Sequence, residues 1–225
     1  MERVFDLFFS FLALVVLSPL LIPIVIILRF TGEGEIFFFQ ERIGKKGKIF
    51  KLFKFATMLK NSPNIGSGTL TIKNDPRVLP VGKVLRKTKI NELPQLLNIL
   101  KGNMSIIGPR PLAMQSFNSY SKEAQNSIKL VRPGLSGIGS IIFRNEEEIM
   151  DDVNSPIDFY DNSIAPYKGS LEEWFVKHKG ISIYFLSIFL TLWAVFFPKT
   201  KLPWKVFKGL PKPPEELKQK LNFPS

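Results

Sequence analysis

The chain has 225 residues, enough for one modest domain with a hydrophobic core. Its formal net charge of +12 indicates an anionic partner, such as a phosphate ligand or an acidic membrane surface. It contains no cysteine and one histidine, His178, which excludes disulfides, thiol catalysis and zinc sites that need several of these residues. No nucleophile motif surrounds His178, so we expect an ordinary surface residue.

Residues 4–28 are almost wholly apolar, and the segment is long enough to cross a bilayer. It is too long for a signal peptide, and no small-residue cleavage site follows it. Pro19 predicts a kink near the middle, where the Ser18 hydroxyl can bond a freed carbonyl. A kinked crossing and a re-entrant hairpin both fit this pattern. Arg29 and seven basic residues between 42 and 60 place the C-terminal side in the cytoplasm.

Residues 35–55, EIFFFQERIGKKGKIFKLFKF, predict a β-hairpin. Two aromatic-rich runs flank a Gly-Lys-Lys-Gly turn. Lys48, Lys51 and Lys54 make this hairpin basic, so its surface is suited to an anionic ligand.

A second apolar run covers residues 181–198 and is marginal for a membrane crossing. A helix that lies in the membrane interface or against the domain fits it better. The residues after 198 are rich in lysine and proline, a composition suited to contact with anionic headgroups.

Residues 88–111, TKINELPQLLNILKGNMSIIGPRP, carry the most specific pattern. The apolar spacing predicts a helix, with Asn91 as its N-cap, Glu92 as its first residue and Gly102 at its end. Pro94 would lie in the first turn, where a missing amide costs little. In the purely structural interpretation, Asn91 caps the helix and Glu92 complements its dipole.

The segment GPRP favours a functional interpretation. The two prolines restrict the backbone on both sides of Arg110 and present its guanidinium. Together with Arg86, Lys87 and Glu92, this arginine would make a phosphate site, although a basic face against lipid headgroups is an alternative. Arg132, in the glycine-rich stretch VRPGLSGIGS, could hold another phosphate or belong to a loop over the site. The signatures of nucleotide-binding P-loops and dinucleotide folds are missing from the sequence.

Residues 146–161 include seven acidic side chains. We expect a solvated face here and only weakly a metal site.

The combined motifs resemble the bacterial sugar transferases, the small monotopic phosphoglycosyl transferases. The resemblance extends from about residue 1 to 197 and rests on Ser18-Pro19, FQERIG, FKLFKFATM, DPR, the run from Arg86 to Pro111, and VRPGLSG. The run from Arg86 to Pro111 is highly specific, and the other motifs support it.

The resemblance implies a mixed α/β, mainly helical fold. Residues 1–30 would form a re-entrant membrane helix hairpin that breaks at Ser18-Pro19. Residues 31–197 would form a small cytosolic catalytic domain with a short β-hairpin and an interfacial amphipathic helix near 181–197, and residues 198–225 a basic tail. The protein would lie at the cytoplasmic face of the bacterial inner membrane.

The same resemblance implies the reaction. Family members transfer a phospho-sugar from a UDP-sugar to a polyprenyl phosphate with magnesium and release UMP. The residues implied are Asn91 and Glu92 for catalysis, Glu92 for the metal, and, for phosphate binding, Lys54, Arg86, Arg110 and Arg132. The expected partners are the UDP-sugar, the polyprenyl phosphate and membrane lipids; a homodimer is left open. Nucleic acid is not expected, because the phenylalanines lie mostly in apolar runs and not among basic residues.

Three positions depart from the family pattern. The usual pair is Asp-Glu, with the aspartate as the nucleophile, and this chain has Asn91-Glu92. Asn103 replaces a frequent aspartate, and Ala56 replaces a common basic residue. Because an amide is a very poor nucleophile, either Glu92 does the work, or an acid from 146–152 substitutes, or the protein is a scaffold that binds substrates without turnover. We favour the first explanation.

Overall fold

The computed structural model describes residues 1–64, 75–151 and 155–224. As predicted, this part of the chain is mainly helical, with two small two-stranded sheets. The strands are β1 Phe37–Ile43, β2 Ile49–Phe55, β3 Ser105–Ile107 and β4 Gly134–Ser136. The α-helices are α1 Glu2–Phe30, α2 Pro80–Lys87, α3 Gln95–Lys101, α4 Met114–Asn118, α5 Lys122–Ile128, α6 Ile138–Ile142, α7 Glu146–Asp151, α8 Pro156–Phe159, α9 Ala165–His178, α10 Ile181–Phe196, α11 Leu202–Val206 and α12 Glu215–Lys218. Short 3₁₀ turns cover Lys45–Gly47, Ser62–Asn64 and Ile90–Glu92, and a π-helical turn covers Tyr160–Ile164.

Helix α1 has 29 residues and is long and apolar enough to cross a membrane by length and composition. The helical assignment continues through Pro19 and Pro23. Pro19 has no N–H for the carbonyl of Val15, and the Ser18 hydroxyl donates to that carbonyl at 2.7 Å instead. The predicted role of Ser18 is therefore confirmed, whereas a turn back at this point stays a prediction.

The predicted β-hairpin is confirmed. Strands β1 and β2 pair with each other, and the N–H of Gly44 donates to the carbonyl of Lys48 at 2.8 Å to close the turn. Gly47 has φ 72°, a left-handed conformation that glycine adopts without strain. The turn therefore uses its second glycine for backbone geometry.

The chain forms two compact units. The first comprises Met1–Phe5, Arg42–Phe50 and Asn103–Ser225, and the second comprises Asp6–Glu41 and Lys51–Gly102. In the second unit, Ile24 and Leu28 of α1 form a buried cluster with Phe55 of β2 and Leu85 of α2. Burying each of these side chains contributes roughly 1.5–3 kcal/mol, so the cluster fixes α2 beside the hairpin strand.

The first unit is built around the parallel pair of β3 and β4, with Ser105 opposite Gly134 and Ile107 opposite Ser136. A Cβ on Gly134 would lie 2.1 Å from the backbone nitrogen of Gly108. A Cβ on Gly137 would lie 2.1 Å from the carbonyl oxygen of Gly108. Close backbone packing therefore explains these two glycines of VRPGLSGIGS.

Helix α9 supplies much of the core of the first unit, through Leu171, Trp174 and Phe175. The segment after 198 also belongs to this core, because Phe207 and Leu217 are almost fully buried in it. The predicted tail is therefore basic in composition but packed through its apolar residues.

The helix predicted in 181–198 is confirmed as α10. Its inner side buries Tyr184, Leu190 and Ala194, while large apolar side chains such as Phe189 and Phe196 are exposed. Two apolar faces on one short helix fit a membrane interface, which stays a prediction. His178 is an exposed residue, as expected, with its ring stacked on Trp174.

Candidate active site

Asn91 and Glu92 lie in the 3₁₀ turn Ile90–Glu92, which ends before α3. Lys89 precedes it in a left-handed conformation, with φ 59° and ψ 10°. The prediction that Asn91 caps a helix starting at Glu92 is wrong, because the backbone makes a separate tight turn and α3 begins at Gln95. The predicted end at Gly102 is confirmed by its φ of 86°.

The Asn91 side chain is buried, and its Oδ1 has no hydrogen-bond partner. An unsatisfied buried polar atom costs about 1–3 kcal/mol and calls for a compensating role. Its position directly before Glu92 therefore makes Asn91 part of the candidate site and not a surface cap.

Lys54 of β2 forms an ion pair with Glu92 within the second unit. Its Nζ lies 4.0 Å from Glu92 Oε1, and the two side chains are 20% and 15% exposed. Asn98 of α3 fixes this geometry: its Nδ2 donates to the Lys51 carbonyl at 2.8 Å, and its Oδ1 accepts from the Phe53 N–H at 2.9 Å. One fully buried amide thus links the strand that carries Lys54 to the helix that follows Glu92.

Arg86 lies in the last turn of α2, which packs against the Ile90–Glu92 turn. Its guanidinium is partly buried and donates to the sulfur of Met58 at 3.8 Å. Gly82 permits the close approach of α2, since a Cβ there would lie 2.1 Å from the Thr57 carbonyl oxygen. The second unit therefore brings together Lys54, Arg86 and the Asn91-Glu92 pair.

Arg110 and Arg132 lie in the first unit, where their backbones are close together. The Gly134 N–H donates to the Pro109 carbonyl at 2.8 Å, and a Cβ on Gly108 would lie 2.5 Å from the Arg132 carbonyl oxygen. The packing of β3 and β4 thus brings together these two motifs, whose arginines are 22 residues apart in the sequence. Arg110 also borders a small cleft with Lys129, a cation that sequence reasoning missed.

Sequence reasoning also missed Glu172 on α9, which is 2% exposed. Burial raises its carboxyl pKa to about 8, while Lys168 and a hydrogen bond from the backbone N–H of Arg110 act in the opposite direction. Its Oε2 has no hydrogen-bond partner. The spacing of Lys168 and Glu172 is typical of a surface helix pair, so only the fold shows that this carboxyl is internal.

The acidic run at 146–161 is only partly the solvated face that we expected. Glu146 accepts from Lys168 Nζ at 2.9 Å on both carboxylate oxygens, and the Lys168 side chain is only 5% exposed. Residues 152–154 lie outside the described residues. One acid of the range 146–152 that was suggested to replace the aspartate, Glu146, is therefore already paired with a buried lysine.

A sequence profile of the bacterial sugar transferases matches residues 1–198. The chain belongs to this family. The match covers the whole second unit, the first unit as far as residue 198 and every candidate residue described above. The resemblance of the motifs is confirmed.

Several named proteins are similar to this bacterial sugar transferase. The exopolysaccharide production protein ExoY of Sinorhizobium fredii is 39% identical over 159 residues, which cover 64% of this chain and 70% of the relative. The undecaprenyl-phosphate galactose phosphotransferase of Salmonella typhimurium is 30% identical over 192 residues, 79% of this chain and 37% of the relative. The UDP-glucose:undecaprenyl-phosphate glucose-1-phosphate transferase of Escherichia coli is 33% identical over 192 residues, 84% of this chain and 39% of the relative.

Oxygen donors suited to a divalent cation are present at the turn of this sugar transferase. Glu92 supplies a carboxylate, and Asn91 supplies an amide oxygen without a partner. Within residues 1–64, 75–151 and 155–224, no three His, Cys, Asp or Glu side chains group closely enough to hold a metal ion alone. This donor set fits Mg²⁺, which typically binds one or two protein oxygens together with substrate phosphates.

Proposed function

We propose that this protein transfers a sugar-1-phosphate from a UDP-sugar to a polyprenyl phosphate and releases UMP. The reaction would be the first membrane step of a bacterial glycan pathway, such as the synthesis of an exopolysaccharide, a capsule, an O-antigen or a protein-linked glycan. Family membership and the names of the relatives support this class of reaction. The observation that carries the proposal is a partly exposed carboxylate, Glu92, beside Lys54 in a turn next to the basic end of α2.

The charges of the candidate residues suit two anionic substrates. A UDP-sugar and a polyprenyl phosphate repel each other, and cations offset both this repulsion and the charge on the transferring phosphoryl group. We assign phosphate binding to Lys54 and Arg86 in one unit and to Arg110 and Arg132 in the other. A planar guanidinium is suited to phosphate because it can donate two parallel hydrogen bonds.

Glu92 is the working carboxylate in this proposal, and Asn91 positions the turn. As a nucleophile, Glu92 would attack the phosphorus that carries the sugar, and the bond to UMP would break. An oxygen of the polyprenyl phosphate would then attack the same phosphorus and release the Glu92 carboxylate. As a base, Glu92 would instead assist direct attack by the lipid phosphate. Bound Mg²⁺, held by Glu92 and the Asn91 amide oxygen, would supply positive charge at the diphosphate.

The membrane contacts of the protein form part of the proposal. The apolar surface of α1 and the exposed phenylalanines of α10 would lie in lipid, at the cytoplasmic face of the inner membrane. A re-entrant α1 would return Arg3 to the cytoplasmic side, whereas a crossing helix would not. Because the chain has no cysteine, Arg3→Cys and Lys212→Cys each create a single labelling site. In inside-out vesicles an impermeant maleimide should label both; labelling of Lys212→Cys alone would exclude the hairpin.

The function is tested by UMP release from a panel of UDP-sugars with undecaprenyl phosphate in nanodiscs. We expect turnover in the wild type and a loss of at least about 100-fold in Glu92→Gln, the range seen when a positioned acid or base is removed. Glu35→Gln is the matched control, because Glu35 pairs with Lys60 at 2.8 Å on the exposed surface of the same unit. Full activity in Glu92→Gln would refute the assignment.

A labelled sugar phosphate separates the two roles of Glu92. Incubation with a UDP-sugar that carries ³²P in its β-phosphate, without lipid acceptor, would label the wild type if Glu92 is the nucleophile. The label should be absent in Glu92→Gln. Release of UMP only when lipid acceptor is present, with no labelled protein, would instead support direct attack.

The second candidate function is a membrane-associated scaffold that binds substrates without turnover. Asn91, where the family pattern has aspartate, favours it. This role predicts UDP binding by calorimetry, no UMP release in the wild type, and a gain of turnover in Asn91→Asp. Robust wild-type turnover would exclude it.

A further inference from the structure

The buried carboxyl group of Glu172 lies next to the loop Gly108–Pro111. Its residue is 2% exposed on α9, and Oε2 makes no hydrogen bond. Burial of an ionisable group is unfavourable unless specific contacts offset it. An apolar residue would fill this position at lower cost, so the contacts of the carboxyl group indicate why the position holds an acid.

One of these contacts comes from the backbone of Arg110. Its backbone N–H donates to the Glu172 carboxyl group. Pro109 and Pro111 have no N–H, so this hydrogen bond uses the one backbone donor of residues 109–111. Glu172 therefore contacts the backbone of Arg110, the residue whose guanidinium we propose to bind phosphate.

The surrounding backbone leaves the carboxyl group little freedom. A Cβ on Gly139 of α6 would lie 2.5 Å from Glu172 Oε1, so the glycine makes room for this oxygen. On its other side, the loop is held to β4 by the Gly108 N–H, which donates to the Ser136 carbonyl at 2.9 Å. The loop is thus held by two contacts. One is the backbone bond to β4, and the other is the side chain of Glu172 on α9.

We propose that Glu172 is a positioning residue that sets the direction of Arg110 toward the phosphates of the sugar nucleotide. The proposal rests on the proposed function for its kinetic consequence. Its structural part, a carboxyl oxygen that holds the Arg110 amide, is independent of catalysis. Either protonation state of the carboxyl group offers an oxygen as acceptor, and glutamine offers one too.

The charged and titratable groups that face Glu172 come from several elements of the first unit. Its neighbours are Lys168 on the same helix, the Arg110 backbone in the loop and Tyr120 after α4. Tyr160 in the π-helical turn and Glu146 on α7 interact in turn with Tyr120 and Lys168. Lys168 forms an ion pair with Glu146. Lys168 and Glu172 are therefore not an isolated ion pair. The role assigned here is hydrogen-bond acceptance, which Glu172→Gln should preserve near neutral pH.

The test combines two variants that remove the contact in different ways. Glu172→Met keeps the length of the side chain and removes the acceptor. Gly139→Ala keeps the carboxyl group and pushes Oε1 away. Tyr167→Phe is the matched control, because it deletes a buried hydroxyl on the same helix that donates to the Pro211 carbonyl at 2.8 Å, away from the loop.

The first measurement is amide hydrogen exchange in the full-length protein in nanodiscs. Within residues 109–111, the Arg110 amide is the one exchangeable backbone amide, because proline has no N–H. Peptides that cover these residues therefore give the exchange rate of Arg110. We expect about tenfold faster exchange in Glu172→Met and Gly139→Ala, the loss of roughly one hydrogen bond. Exchange should stay at the wild-type rate in Glu172→Gln and Tyr167→Phe. Unchanged exchange in Gly139→Ala, or in a folded Glu172→Met, would overturn the proposal.

The second measurement is UMP release, with separate KM values for UDP-glucose or another active UDP-sugar and for undecaprenyl phosphate. A misdirected Arg110 should raise the KM for the UDP-sugar about tenfold and change the KM for the lipid less than about twofold. Faster exchange with unchanged kinetics would overturn the positioning role, as would equal effects of Tyr167→Phe. If the wild type releases no UMP from any UDP-sugar, the proposed function fails, and hydrogen exchange alone decides whether Glu172 holds the loop.

Discussion

Glu172→Gln should change how the stability of the protein depends on pH. Burial raises the pKa of this carboxyl group from an ordinary 4.5 to about 8 in the folded protein. Between these two values the folded state binds more protons than the unfolded state, so the free energy of unfolding falls as the pH rises. The loss begins near pH 4 and is complete near pH 9.

The magnitude follows from the two pKa values. One pKa unit corresponds to about 1.4 kcal/mol, so a rise from 4.5 to about 8 corresponds to roughly 4–5 kcal/mol in the free energy of unfolding. Glutamine cannot ionise and escapes this loss. Its amide group lacks partners in the same place and lowers stability by a constant amount at every pH. The difference between variant and wild type should therefore move in favour of Glu172→Gln by roughly 4 kcal/mol between pH 5 and pH 9, because part of the loss already occurs below pH 5.

The assay is thermal unfolding in detergent, followed by tryptophan fluorescence, at several pH values from 5 to 9. For a chain of this size, 1 kcal/mol corresponds to roughly 2–4 °C, so the difference in Tm should change by ~10 °C or more across the range. Glu35→Gln is the control: Lys60 lowers the pKa of the exposed Glu35, so any effect of this variant appears at acidic pH and has the opposite sign. A difference between Glu172→Gln and wild type that stays constant from pH 5 to pH 9 would refute the reasoning, because it would mean that the Glu172 carboxyl group ionises as if in water.

Two further predictions concern stability. Asp75→Asn should lower the Tm more than Glu35→Gln does, because it removes the charge partner of the buried Arg77, whose guanidinium contacts Asp75 at 2.6 and 2.8 Å; equal shifts in thermal unfolding would contradict this. Phe207→Ala should destabilise the first unit by roughly 3–5 kcal/mol, since Phe207 is 1% exposed and packs edge-on against Trp174. Denaturant unfolding measures the loss of stability in Phe207→Ala. An unchanged midpoint would show that the segment after 198 does not stabilise the core.

Local patterns were sufficient for the elements whose structure is decided by neighbouring residues. The Gly44–Lys48 turn, the end of α3 at Gly102 and the bond from Ser18 each depend on a few adjacent residues. The same holds for α10, whose apolar run and length specify a helix.

The parts that sequence reasoning missed depend on distant contacts. Asn91 has the residue type of a cap, but the left-handed Lys89 and the following turn bury it instead. Gly134 resembles part of a phosphate loop, and only its approach to Gly108 shows a packing role. Glu172 has the spacing of a surface ion pair, and no local signal indicates that a loop 62 residues earlier lies above it.

The first unit combines the two ends of the chain. Phe5 lies 5.0 Å from Phe185, measured between ring centroids, and the core also needs Phe207 and Leu217. During synthesis these partners leave the ribosome long after α1, so this unit can close only once residues 207 and 217 have emerged. A message truncated after the family-matched region would leave an apolar core open, and quality-control proteases would degrade the product before any sugar is transferred.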